Sequence, residues 1–167
     1  MGTGGKLLRR VRAGFIDEPT GFVWVEDSRL AASGYPASRS QVEWVVNKGI
    51  TSVLTLTEYP IPKEWTVKTG LFLKHVPLRD HEPPSAEKLE ECATFIEAEL
   101  AAGRKVMVHC LAGEGRTGCV LAAYLIRTKK LGGERALVEL RRIKPGFVEK
   151  KQEKAVIDFA NSSAQGD

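Results

Sequence analysis

The sequence predicts a single α/β domain whose central, mostly parallel sheet is flanked by helices on both faces. The first observation behind this prediction is that short apolar runs alternate along the chain with longer segments of helical periodicity. The second is a composition of 43% hydrophobic and 28% charged residues, which is typical of a globular protein. The third is the length of 167 residues, enough for one substantial core and too short for two. Ligands of such sheets bind beyond the carboxyl ends of the strands.

The first predicted elements are two short strands and a helix. Residues 21–26 and 29–35 are the strand candidates. The helix begins with a capping box formed by Ser38 and Gln41, and Gly49 is its stop signal. The residues that we expect to face the core are Val42, Val45 and Val46.

Two further strands and a longer helix follow. Residues 50–57 are rich in β-forming residues, and a segment broken by prolines separates them from a strand within residues 71–78. The adjacent prolines of residues 79–85 remove two backbone donors, so we expect no regular structure there. Ser85 then caps a helix that ends at Gly103. Its predicted apolar face consists of Leu89, Ala93, Ile96 and Leu100.

The last part of the chain places a loop between a buried strand and a buried helix. The strand is the apolar run within residues 105–110, and residues 117–128 are apolar almost all round, as in a central helix. Two amphipathic helices follow at residues 133–143 and 151–160, separated by a Lys-Pro-Gly breaker. The first of them is expected to turn inward Ala136, Leu137, Leu140 and Ile143.

The net charge of +4 has a local origin. Residues 1–14 contain four basic side chains and no acid, which leaves 21 basic and 21 acidic residues in the remaining chain. We therefore expect a basic, flexible arm over residues 1–14, followed by a neutral body that argues against nucleic-acid binding. The basic residues of the arm are Lys6, Arg9, Arg10 and Arg12.

Cysteine usage and hydropathy bear on the compartment. The three cysteines are an odd number without framework or zinc-site spacing, which fits a reducing environment. We expect Cys92 and Cys119 to be core residues and Cys110 to be functional. No apolar run approaches the roughly 20 residues needed to span a bilayer, and the N-terminus has no apolar signal region. These features predict a cytoplasmic protein with no membrane contact.

The loop HCLAGEGRTG, residues 109–118, carries the candidate chemistry. Five residues separate Cys110 from Arg116, and the glycines among them allow backbone N–H groups to converge above the sulfur. The helix start and the arginine fork both favour an anion at the same point, phosphate above all. Helix N-termini and nearby cations lower thiol pKa values from about 8.5 to roughly 3.5–7.5, so we expect a thiolate nucleophile that needs no metal. His109 is expected to organise the loop through hydrogen bonds, and the Thr117 hydroxyl to donate to the sulfur when it leaves.

This loop resembles the H-C-x5-R-[ST]-G signature of the cysteine-dependent protein tyrosine and dual-specificity phosphatases. Residues 29–58, 73–85 and 143–159 are also similar to small atypical dual-specificity phosphatases, including their archaeal relatives, so the resemblance covers about residues 20–160. It implies a phosphatase domain over residues 15–162, followed by a short tail of residues 163–167. It also implies hydrolysis through a phosphocysteine intermediate with neither a cofactor nor a metal.

The resemblance further implies site residues. An aspartate on a mobile loop protonates the leaving oxygen in this family, and Asp80 is the match, with Glu82 and Glu87 as alternatives. Glu87 lies in the first turn of a helix, where an acid is ordinary. Gln152 matches the amide that positions water, although its spacing from Gly146 is shorter than in close relatives. The phosphate-binding backbone corresponds to Leu111, Ala112, Gly113, Glu114, Gly115 and Arg116.

The expected partners are phosphorylated proteins or peptides, above all phosphotyrosine, with phosphoserine and phosphothreonine possible in a shallow pocket. Phosphate, sulfate or vanadate should bind in the loop of a monomeric enzyme. Glu114 and the lack of loop lysines argue against polyphosphoinositides. One alternative is an RNA 5′-phosphatase of the same fold, which requires a basic surface continuous with the loop. The other is a catalytically inactive phosphate-binding module, a class that usually lacks the thiol, the arginine or the acid.

Overall fold

The computed structural model describes residues 17–164, and the predicted arm of residues 1–14 lies outside them. Residues 163 and 164 of the predicted tail continue the last helix, and residues 165–167 are also outside the described part. The strands are β1 (Val23–Glu26), β2 (Leu30–Ser33), β3 (Ser52–Thr55), β4 (Phe72–His75) and β5 (Val106–His109). The helices are α1 (Arg39–Asn47), α2 (Lys63–Thr66), α3 (Ala86–Ala101), α4 (Gly115–Lys129), α5 (Gly133–Ile143) and α6 (Glu153–Ala164), with a 3-10 turn at Lys150–Gln152 before α6.

The strands form one five-stranded sheet in the order β1-β2-β5-β3-β4. β1 runs antiparallel to β2, and the other pairs are parallel. β5 lies at the centre, with Ser33 of β2 and Thr55 of β3 both opposite His109. The carboxyl ends of the parallel strands therefore meet at one edge, where β5 leads into the loop before α4. The predicted α/β class with a mostly parallel sheet is confirmed.

Side chains alternate between the two faces of the sheet, as the strand period requires. Val106 and Val108 belong to the buried cluster that includes residues of α3, α4, α5 and α6, whereas Met107 packs with residues of α1. α4 is buried continuously from Gly115 to Ile126, which makes it the central helix that its composition predicted. Helices therefore cover both faces of the sheet, as expected. In residues 17–164, no helix is long and apolar enough to cross a membrane.

The predicted helix ends agree closely with the structure. The Ser38 hydroxyl accepts from the Gln41 N–H, and the Ser85 hydroxyl caps α3 by accepting from the N–H of Lys88. The predicted capping box is only half formed, because the Gln41 side chain accepts from the N–H of Ala37 and not from that of Ser38. The predicted stop signals lie just after their helices with positive φ, and they are Gly49 and Gly103.

One local prediction was wrong, and one short helix was not predicted. Ile143 is 37% exposed, because it is the last residue of α5 and the chain leaves the helix for the extended backbone of Lys144. The proline-broken segment contains the short helix α2, which starts directly after Pro62. Proline has the φ that a helix start needs, and the Pro62 carbonyl accepts from the N–H of Trp65.

Candidate active site

The loop between β5 and α4, residues 110–114, is called the catalytic loop below. Cys110 is 3% exposed and lies at the carboxyl end of the central strand. Gly113 has φ +72°, and a Cβ there would lie 2.3 Å from the carbonyl oxygen of Ser33, so only glycine fits. The Leu111 carbonyl accepts from the N–H of Tyr35. Because α4 begins at the end of this loop, the first-turn N–H groups, which a helix leaves without intrahelical partners, lie at the end of the loop that Cys110 begins.

Arg116 is 2% exposed and reaches across the carboxyl ends of the strands. Its Nη1 donates to Glu58 Oε2 at 2.9 Å and to the Leu78 carbonyl at 3.1 Å. Its Nη2 lies 3.2 Å from Asp80 Oδ1. Its Nε has no hydrogen-bond partner among the described residues. The guanidinium thus binds two carboxylates, while its buried Nε donor stays available to a ligand.

Glu58 connects the arginine with the segment that carries Asp80. While Oε2 accepts from Arg116, Oε1 accepts from the backbone N–H of Asp80 at 3.0 Å. Backbone N–H groups of Glu58 and Asp80 are the main causes that hold the pKa of the Glu58 carboxyl below its usual value, and Arg116 adds to them. Glu58 is therefore an anion that fixes the clamp and the Asp80 segment together.

The Asp80 segment is also tied to the last loop of the chain. His81 has φ +61°, and its Nδ1 lies 2.8 Å from Glu149 Oε1 and its Nε2 3.4 Å from Asp80 Oδ2. Of the two alternatives to Asp80, Glu82 lies 3.8 Å from Arg79 on the surface, and Glu87 lies in the first turn of α3. Among the three acids, Asp80 is the one that the ion pairs bring to Arg116.

Three ligand atoms of Asp80, His81 and Glu149 lie within 4.8 Å of one another. This is close enough to hold a divalent cation, whereas the sequence predicted no metal site. The hydrogen bonds of His81 already account for the proximity of the two carboxylates. Exposed groups of this kind supply no reason for a metal in the chemistry of Cys110.

His109 is fully buried below the catalytic loop. Its Nδ1 lies 3.3 Å from the Cys110 carbonyl and its Nε2 2.8 Å from Thr55 Oγ1. Burial lowers the pKa of His109 to about 4, with Arg116 and His75 as further causes. The imidazole is neutral at physiological pH, so we assign the proton to Nδ1, which donates to the carbonyl, while Nε2 accepts from the Thr55 hydroxyl.

Thr117 is fully buried, and its hydroxyl has no hydrogen-bond partner among residues 17–164. A buried hydroxyl without a partner is costly, so its position directly after Arg116 points to a group that arrives with a ligand or a reaction step.

The other two thiols differ from Cys110 in role. Cys92 and Cys119 are fully buried, and burial raises the pKa of each to about 12, which confirms that they are core residues.

Two remaining predicted residues, Glu114 at the end of the catalytic loop and Gln152 beside it, have side chains that contact other protein groups. The Glu114 carboxylate is half exposed and lies 3.8 Å from the ammonium of Lys144. Gln152 is fully buried next to Gly115, where an added Cβ would lie 2.9 Å from Gln152 Oε1. Its Oε1 accepts from the N–H of Glu149, and its Nε2 donates to the carbonyl of Glu82. In this arrangement both ends of the Gln152 amide are occupied by protein groups.

Comparison with known proteins gives the family. The model of the family described as "Polymorphic toxin system, DSP-PTPase phosphatase" matches residues 31–130. The chain belongs to this phosphatase family. The Dual specificity protein phosphatase 12 of Rattus norvegicus is 34% identical over 113 residues, which are 67% of this chain and 33% of that protein. The chain thus spans about a third of the length of this curated relative.

Two further similarities agree with the DSP-PTPase family. The solved structure of Tk-PTP in the active form has a TM-score of 0.75 and 33% identity, over 84% of this chain and 96% of that chain. The Phosphatidylglycerophosphate phosphatase PTPMT2 of Arabidopsis thaliana is 29% identical over 145 residues, 82% of this chain and 62% of that protein. The resemblance to small atypical dual-specificity phosphatases is confirmed.

The structure shows two residues at the site that the sequence analysis had not identified. Glu58 accepts hydrogen bonds from both Arg116 and the Asp80 N–H. The feature that could have identified it is its position just after β3, which neighbours β5 in the sheet. Lys144 donates a hydrogen bond to the Gly113 carbonyl of the catalytic loop, although the sequence analysis noted it only as part of the Lys-Pro-Gly breaker. Both roles depend on contacts between segments far apart in the chain.

Proposed function

We propose that this chain hydrolyses phosphate monoesters through a phosphocysteine intermediate without a metal. The observation that carries the proposal is the buried guanidinium of Arg116, which lies in the first turn of α4 after the catalytic loop and has one donor unpartnered among the described residues. The N–H groups of residues 111–116 supply further donors at the start of α4. A tetrahedral dianion matches this set of donors in charge and geometry.

In the first step, Cys110 acts as the nucleophile. Its sulfur attacks phosphorus, the S–P bond forms, and the bond from phosphorus to the ester oxygen breaks. Arg116 and the loop N–H groups stabilise the charge on the transferring phosphoryl oxygens. Asp80 supplies the proton to the leaving oxygen, because its carboxyl lies beside Arg116 on the exposed side of the site. Such general acid catalysis contributes about 10²–10⁴-fold.

In the second step, water replaces the sulfur. The Asp80 carboxylate accepts a proton from the attacking water, the S–P bond breaks, and inorganic phosphate and the Cys110 thiolate are released. We assign the unpartnered Thr117 hydroxyl to the sulfur, which accumulates charge as it leaves. His109 is neutral and bonded to the Cys110 carbonyl, which suits a supporting role. Gln152 as the water-positioning amide stays a prediction, since its Nε2 donates to the Glu82 carbonyl here.

We propose phosphotyrosine as the preferred substrate, with phosphoserine and phosphothreonine accepted more weakly. Two large side chains with apolar surface are exposed at this site: Leu111 of the catalytic loop is 52% exposed, and Tyr59 is 50% exposed. Tyr59 packs edge-on against Tyr35, whose N–H donates to the Leu111 carbonyl. An aryl ring gains more contact with such a rim than a serine side chain does. The name of the rat relative, a dual specificity protein phosphatase, agrees with this substrate class.

The remaining partner predictions follow from sequence alone. A cytoplasmic, monomeric protein without nucleic-acid binding is still the expectation, and Glu114 leaves the RNA 5′-phosphatase as the less favoured alternative. The name of the Arabidopsis relative makes phosphatidylglycerophosphate a useful test substrate. Activity on this lipid above that on phosphotyrosine peptides would overturn the proposed preference.

Hydrolysis of p-nitrophenyl phosphate in the presence of EDTA tests the reaction itself. We expect turnover by the wild type, none by Cys110→Ser, and unchanged turnover by Cys119→Ser, which alters only a core thiol. Asp80→Asn should lose about 10²-fold or more on an aryl phosphate with a poor leaving group. Asp158→Asn, in an exposed ion pair on α6, is its matched control. A wild type that binds vanadate but hydrolyses nothing would instead be a phosphate-binding module.

A further inference from the structure

Lys144, the residue after α5, contacts the catalytic loop from the side of the last connecting segment. Its Nζ donates to the Gly113 carbonyl at 3.1 Å and lies 3.5 Å from the Gly21 carbonyl. It is also 3.8 Å from Glu114 Oε1, and the side chain is only 18% exposed. The ammonium lies 5.7 Å from the centre of the Phe147 ring, so the cation is held on several sides.

The Gly113 carbonyl is a sensitive point of the loop. In a trans peptide the C=O of one residue and the N–H of the next point in opposite directions. A donor that holds the Gly113 oxygen outward therefore directs the Glu114 N–H toward the anion. Gly113 cannot relax freely, because φ is +72° and its α-carbon packs against the Ser33 backbone. One side chain can thus set the direction of a phosphate-binding N–H without contacting phosphate.

Lys144 also compensates the negative charge of Glu114, an acid that lies in an anion-binding loop. The Glu114 carboxylate lies toward Lys144 and packs over Gly146, where an added Cβ would lie 2.7 Å from the carboxyl carbon. A carboxylate turned inward would repel the phosphoryl oxygens, whereas one that faces the ammonium is largely compensated. The lysine therefore affects both the peptide dipole and the charge of residue 114.

We propose that Lys144 is a positioning residue for anion binding, which holds the Gly113–Glu114 peptide in its binding orientation and keeps the Glu114 carboxylate outside. It acts through the loop and does not touch the substrate. The inference rests on the proposed function only in requiring that the loop binds a phosphate-like anion.

The test measures the Kd of orthovanadate by calorimetry, with kcat and KM for p-nitrophenyl phosphate alongside. Lys144→Met should weaken vanadate binding about tenfold or more, the size of one charge-assisted hydrogen bond, and raise KM in parallel. Lys144→Arg should stay within about twofold of the wild type, because the guanidinium keeps the charge and a donor. Lys154→Met is the matched control, since Lys154 pairs with Asp158 on exposed α6 and should change neither value.

Folding and function are separated by two further observations. Circular dichroism shows whether Lys144→Met folds, and a folded variant whose vanadate affinity stays within twofold of the wild type overturns the assignment. Glu114→Gln keeps Lys144 on the Gly113 carbonyl and removes the acid from the anion-binding loop, so it should bind vanadate more tightly than the wild type. A tenfold loss in this variant also overturns the assignment. A wild type that binds no vanadate would refute the proposed function itself.

Discussion

Glu58 holds two parts of the proposed catalytic machinery with the two oxygens of one carboxylate. Replacing it by alanine removes the hydrogen bond to Arg116 Nη1 and the acceptor for the Asp80 N–H. The arginine would keep the Leu78 carbonyl and the Asp80 carboxylate as partners, so the clamp should become less fixed without leaving the site. We expect a loss of activity without unfolding.

The magnitude follows from the type and exposure of these contacts. A hydrogen bond to a charged group contributes about 1.5–3 kcal/mol. The Glu58 side chain is 50% exposed, so water screens the pair and the lower end of that range applies. Since about 1.4 kcal/mol corresponds to a factor of ten, Glu58→Ala should lower kcat/KM about tenfold. Glu58→Gln should lose less, about threefold, because its amide oxygen still accepts one of the two hydrogen bonds.

The assay is steady-state hydrolysis of a phosphotyrosine peptide at neutral pH, with thermal unfolding measured on the same samples. Glu43→Ala is the control, because Glu43 forms an exposed ion pair with Arg39 on α1, far from the catalytic loop in the chain. If Glu58→Ala remains within twofold of the wild type while Glu43→Ala is also unchanged, Glu58 has no positioning role. A fall in both variants would point to a general effect of surface charge.

Three further predictions concern binding, the loop and acid stability. Asp80→Asn should bind vanadate two- to tenfold more tightly than the wild type, because a competing carboxylate leaves Arg116; weaker binding would contradict this. Gly113→Ala should destabilise the fold by about 1–3 kcal/mol in urea titrations and abolish vanadate binding, since its Cβ would collide with the Ser33 oxygen. The hydrogen bond from Arg141 of α5 lowers the pKa of Glu153. The stabilisation that this bond gives the fold is therefore present above pH 4.5 and is lost as the pH falls through the lowered pKa. Glu153→Gln should make the urea midpoint depend less on pH between about pH 5 and pH 3. The same pH dependence in the variant and the wild type would refute that assignment.

The catalytic loop was predictable because its determinants are local. The thiol, the glycines, the arginine and the start of α4 fall within residues 109–118, and their order alone indicates a turn from a strand into a helix. The burial of α4 was equally readable, since its side chains are apolar in every direction. Asp80 came from the resemblance to a family, because nothing in the residues around it shows that it faces Arg116.

Glu58 shows what the sequence could not supply. It lies 58 residues before Arg116, and their contact depends on β3 pairing with β5, with Thr55 opposite His109. Alternating apolar runs predict strands but not which strands are neighbours. The roles of Lys144 and Gln152 have the same origin, because each binds backbone groups of a different loop. Residues that act between segments stay hidden until the sheet order is known.

The arrangement around Arg116 links binding to catalysis. The guanidinium of Arg116 is held by Glu58 and Asp80, while its Nε has no partner in residues 17–164. A phosphoryl group that takes the fork of the arginine competes with Asp80 for Nη2, whereas Glu58 can stay on Nη1. Substrate binding would then release the Asp80 carboxylate from its cation, so that it can take up a proton from solvent and pass it to the ester oxygen. The acid segment does not drift away, because Glu58 retains the Asp80 N–H and His81 remains bonded to Glu149. One buried arginine would thus make the availability of the proposed general acid depend on the presence of substrate.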